Sequence, residues 1–137
     1  MEIIENFNKA LFEFLNQLYY VTNDDKIKQK IIVFETIALI NSTQLIEKYI
    51  EIMYKYKQII NLQNIHKIIE NNYNDLNEDN VYNKLYAIEF IEVFVKLSYD
   101  NQKIFFQYID GLYLLCDKYL SLKNCKKNNS ILQIKMK

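Results

Sequence analysis

The chain has 137 residues, half of them apolar and a quarter charged, with 17 basic and 17 acidic side chains, one glycine and no proline or tryptophan. That length suits one domain with a core of its own, and the composition excludes a disordered chain and a β-rich or loop-rich fold punctuated by glycine and proline. Net charge is formally zero but unevenly placed: residues 1–120 hold 12 lysines against 17 acids, and Lys123, Lys126, Lys127, Lys135 and Lys137 all follow the last acid, Asp117. An acidic body with a basic tail is a charge pattern that hints at an interaction arm.

In chain order, Ile4, Phe7, Leu11, Phe14, Leu18 and Val21 recur at steps of three and four and predict a helix over about 2–20. No basic residues precede an uninterrupted apolar run here, so the segment reads as neither a signal peptide nor a membrane span. Thr22-Asn23-Asp24-Asp25 offers turn and N-cap chemistry for a second helix over 25–40. Ile27, Ile31, Phe34 and Ala38 line one face of it, and Ile32, Val33, Ile37, Leu39 and Ile40 widen that face, which predicts contact on more than one side. Asn41-Ser42-Thr43 breaks the pattern. A third helix over 43–60 follows from Ile46, Tyr49, Met53, Tyr56 and Ile60, and its charged face from Glu47 to Lys57 is expected in solvent.

Ile65, Ile68 and Ile69 predict a short helix over 63–72, and the asparagine-rich stretch 71–80 a loop. Residues 80–98 form the most apolar segment, with Glu89, Glu92 and Lys96 on one narrow stripe, and are expected to be the central, most buried helix, with Leu85, Ile88, Ile91 and Val95 inside. Asp100 can cap a last helix over 101–121, where mid-helix Gly111 suggests a close crossing. Beyond it, Leu132, Ile134 and Met136 alternate with Gln133 and Lys135, the period-two pattern of a strand. The expected architecture is an all-α bundle of five to six helices over 1–121 with a basic arm, strand-like in pattern, over 122–137.

No catalytic, cofactor or metal site is expected. His66 is the sole histidine, Cys116 and Cys125 lie at metal spacing neither from it nor from each other, and both read as reduced thiols. Glu89 and Glu92 lack the Glu-x-x-His partners of helical di-iron sites. A single glycine builds no phosphate-cradling loop, and a chain without arginine is poorly equipped to read bases. Surfaces remain. Tyr19, Tyr20, Tyr54, Tyr82 and Tyr99 fit no core stripe and are candidate partner contacts, joined by Lys123, Lys126, Lys127, Leu132, Ile134 and Met136 of the arm.

Phe7-Asn8, Leu11, Phe14-Leu15, the break at Asn23-Asp24-Asp25, Ile40-Asn41, and Leu97-Ser98-Tyr99-Asp100-Asn101-Gln102 leading to Tyr108-Ile109 resemble a group of small helical proteins. These are encoded by nucleocytoplasmic large DNA viruses, the giant viruses of algae and protists. The resemblance spans about residues 4–120 and implies a viral protein made in host cytoplasm, with no activity attached. Two non-enzymatic roles follow as expectations. One is a virion or assembly component whose body packs on other subunits, homo-oligomers included, while its arm adds to a neighbouring chain. The other is an adaptor with a Bcl-2-like bundle that takes a host protein's amphipathic helix into a groove.

Overall fold

The computed structural model describes residues 2–136, with side chains described through Cys125. Six α-helices run in order: α1 Glu2–Thr22, α2 Asp25–Ile40, α3 Gln44–Ile52, α4 Ile65–Glu70, α5 Val81–Val95 and α6 Tyr99–Met136, with no strand among the described residues. The all-α bundle is therefore as the periodicity predicts.

The core is organised on α1. Its stripe of Ile4, Phe7, Leu11, Phe14, Leu15 and Leu18 is buried along the length of the helix and packs against α6 on one side and α2 and α3 on the other. α6 contributes Phe105, Phe106, Ile109, Leu112, Tyr113, Cys116 and Tyr119. Helix starts follow local chemistry. Asn23 takes a left-handed φ of 55°, a conformation asparagine tolerates, and Asp24 then caps α2 by accepting from the Lys26 N–H at 2.9 Å. Asn80 caps α5 through the Asn83 N–H at 3.1 Å.

Several expectations are corrected. The third helix ends at Ile52 rather than 60, and the chain continues through a 3-10 turn at Tyr54–Tyr56. Met53, Tyr56 and Ile60 are nonetheless buried, so the predicted stripe reaches the core through turns instead of a helix. The unwound segment is held by α6: the Tyr54 hydroxyl donates to Asp117, and Lys57 Nζ lies 3.2 Å from the same carboxylate.

Helix α5 is not the most buried element. It buries Asn83, Ala87, Ile91 and Phe94, whereas Leu85 is 51% exposed and Ile88 and Val95 are half-buried. A helix whose only polar side is a narrow stripe offers periodicity a wide choice of inner face. Asp100 does not cap α6; Ser98 does, its Oγ accepting from the Asn101 N–H at 3.2 Å. Gly111 marks no crossing, because a Cβ built there meets nothing within 4 Å.

The second helix likewise fails to cover both its apolar sides. Ile27 and Ile31 are buried, but Ile32, Val33, Leu39 and Ile40 stand exposed. Finally, α6 continues through Met136, so the backbone is helical where alternation predicted a strand. Five alternating residues carry little strand preference, and nothing between Leu122 and Met136 is a proline or glycine that would stop the preceding helix.

Candidate partner-binding groove

The chemistry-bearing residues lie apart from one another. His66 is exposed on α4. Cys116 is buried and Cys125 exposed; burial pushes the Cys116 thiol up to about 12, so it is neutral and unreactive in the fold. Glu89 is spent on Lys30, at 2.8 Å. Among the described residues no three histidine, cysteine or carboxylate side chains converge as metal ligands, and no helix is long and apolar enough to cross a membrane.

The tyrosines do not gather into one patch. Tyr19 and Tyr54 are half-buried, Tyr54 in the cluster with Asp117 and Lys57; Tyr20 and Tyr99 are exposed at the end of α1 and the start of α6. Tyr82, exposed at the start of α5, borders a large apolar hollow described next. Of the arm, Lys123 is exposed and sits 3.7 Å from Glu47, while the side chains of Lys126, Lys127, Leu132, Ile134 and Met136 lie outside the described ones.

That hollow is a groove of about 480 Å³ between α2 and α5. Its floor is α1, through Leu11, Phe14, Leu15 and Leu18. One wall is α2, with Ile27, Phe34 and Ile37, and the other is α5, with Tyr82, Tyr86, Phe90 and Val93; α3 closes one end with Leu45, Tyr49 and Ile52, joined by Met53 just beyond it. The gap has a packing cause. Phe14 lies 6.1 Å from both Phe90 and Phe94, so α5 meets α1 through tilted and stacked rings whose bulk keeps the two helices apart, while Phe105 of α6 meets the Phe14 ring edge-on at 5.9 Å. Asn83 fixes the α5 wall to α3 by donating to Glu51 at 2.8 Å. The same bond, with help from Lys48, holds the Glu51 carboxyl below its usual range.

Across the groove, Lys30 of α2 reaches Glu89 of α5 and lies 4.8 Å from the Tyr86 ring. Both charged groups are substantially exposed, so this strap contributes at most about 1 kcal/mol and opens easily. A second hollow of about 410 Å³, between the α1–α2 turn and the α5–α6 turn, is lined by polar as well as apolar groups, among them Thr22, Asp24, Lys96 and Ser98.

Periodicity missed this groove because its lining residues are the ordinary core stripes of α1, α2 and α5. The available signal was an excess: α2 and α5 each carry more apolar surface than one packed face can use. Comparison with family models, curated proteins and solved structures gives no match.

Proposed function

We propose that this chain is a non-enzymatic protein-binding module that takes an amphipathic helix into the groove between α2 and α5. The groove itself carries the reading. Its floor and walls are mainly apolar, its volume falls within the range of formed binding pockets, and Lys30 crosses it only through a weak exposed ion pair to Glu89 and a contact with the Tyr86 ring. Grooves of this type are filled by helices whose apolar side chains recur at i, i+3 or i+4, and i+7. In the viral setting implied by the sequence resemblance, the partner is another subunit during particle assembly in host cytoplasm; the alternative, a host protein's helix, uses the same surface.

Selection from a displayed library of helical peptides, with the full chain as bait, tests this. Selected helices should show the i, i+4, i+7 apolar pattern, shift the NMR signals of Phe90 and Val93, and bind at least tenfold more weakly to a Tyr86→Lys variant of unchanged circular dichroism. Failure to select any helix, or selected helices that ignore the Tyr86 change, would refute the groove reading.

A further inference from the structure

The two walls of the groove are joined by Lys30. Its ammonium lies 2.8 Å from the Glu89 carboxylate and 4.8 Å from the centre of the Tyr86 ring, and among the described residues no other hydrogen bond or ion pair joins α2 to α5. Lys30 falls between Ile27 and Phe34 along α2, and Glu89 between Tyr86 and Phe90 along α5, all of them lining the groove, so the strap crosses midway and not at an end. A guest lying along the floor of Leu11, Phe14 and Leu15 has to displace it.

We infer that the Lys30 strap is a gate on the groove: paired with Glu89 it covers the apolar floor, and released it swings to solvent and admits the guest. The inference rests on the groove reading and concerns how that site opens, whatever helix fills it.

Three features suit a gate and not a brace. The Lys30 and Glu89 side chains are 33% and 51% exposed, so water and salt compete for both charges. A lysine stem can carry its ammonium from the groove to water while its methylenes stay against apolar surface. The walls, finally, do not depend on the strap. Helix α5 is held by Phe94 against Phe105 and Phe106 of α6, by Gln102, which donates to the Phe94 and Leu97 carbonyls, and by Asn83 on Glu51; α2 is held by buried Ile27 and Ile31. Opening the strap leaves both walls standing.

Closure lowers the affinity for a guest in proportion to the fraction of molecules that are open. The upper end for an exposed ion pair corresponds to a closed-to-open ratio of about five, which leaves about one molecule in six open and weakens groove binding up to roughly sixfold. At high salt the pair is screened and the penalty fades.

Titration of the full chain with Nile red, an uncharged apolar dye, is the test, read by fluorescence and by the NMR signals of Phe90 and Val93. Glu89→Gln and Lys30→Gln should each bind the dye roughly two- to sixfold more tightly than wild type, with unchanged circular dichroism. The double variant should bind no more tightly than either single one, because the same strap is lost in all three. Added sodium chloride should bring wild type towards the variants. Lys103→Gln removes a lysine lying 4.4 Å from the Tyr99 ring on α6, away from the groove, and should leave dye affinity unchanged. Equal affinity in wild type and both single variants, additive gains in the double, an equal gain from Lys103→Gln, or a wild-type deficit that persists in salt overturns the gate and leaves the groove reading to its helix selection. A dye that binds no variant, or binds without moving Phe90 and Val93, shows a groove closed to apolar guests and removes the gate together with the apolar site it guards.

Discussion

Replacing Phe14 with alanine should be the most damaging single change to the fold that leaves every hydrogen bond in place. The ring is 1% exposed and lies 5.9–6.1 Å from Phe90, Phe94, Phe105 and Tyr108, joining α1 to α5 and α6. Burying a phenylalanine side chain stabilises a fold by about 1.5–3 kcal/mol, each well-placed ring pair adds about 0.5–1.5 kcal/mol, and measured Phe→Ala losses in cores run about 3–5 kcal/mol. Because Phe14 also borders the groove, part of the void opens to solvent, which places the expected loss near the lower end, about 3–4 kcal/mol. For a chain of this length the melting temperature should then fall by roughly 10–14 °C. Urea unfolding followed by circular dichroism reads the loss. Phe14→Leu should cost about half as much, and Phe12→Ala, which removes a half-buried ring of the same helix, clearly less. A loss below about 1 kcal/mol, or equal losses at Phe12 and Phe14, would contradict the placement of the ring cluster at the centre of the core.

Gly111→Ala should stabilise the protein by about 0.5–1 kcal/mol, since the position is helical and open and alanine restricts the unfolded chain; a destabilised variant in thermal melts would show that something packs there. In native protein one thiol, Cys125, should react with Ellman's reagent and the second, Cys116, only in denaturant; two fast thiols without denaturant would refute its burial. Stability should fall on both sides of neutrality. The Glu51, Glu78 and Asp117 carboxyls are held below their usual range, by Asn83, Lys55 and Tyr54 foremost, so their stabilising effect is present above about pH 4 and is lost as pH falls through their lowered folded values. At the alkaline end, burial raises Tyr119 to about 12, so its contribution is complete below about pH 10 and is lost as pH rises through the folded value. Urea midpoints measured against pH check both limbs, and an Asp117→Asn variant should flatten the acid one.

The sequence by itself determined the class of fold and most of the core. The three-and-four spacing of α1 named all but one of its buried residues, and short polar residues marked the starts of α2 and α5, because a helix burying one face writes that face into the chain as a period of 3.6. The ends of helices were less legible. Met53, Tyr56 and Ile60 keep helical spacing yet reach the core through a 3-10 turn, which depends on Asp117 sixty residues away; and Gln102, an unremarkable polar residue in the sequence, is buried to hold the Phe94 and Leu97 carbonyls at the end of α5.

The tertiary structure alone decided the candidate site. Helices α2 and α5 are apolar on more than one side, and a hydrophobic stripe records that a side chain prefers to leave water without recording which neighbour covers it. Five alternating residues in the arm suggested a strand, yet the backbone follows the helix already begun at Tyr99, since propagating a helix costs less than starting a lone strand. Ile32 and Leu39 face solvent because α2 packs on α1 and α3 through its other side, with Ile27 and Ile31 buried there, a choice of face that depends on neighbours no local pattern encodes.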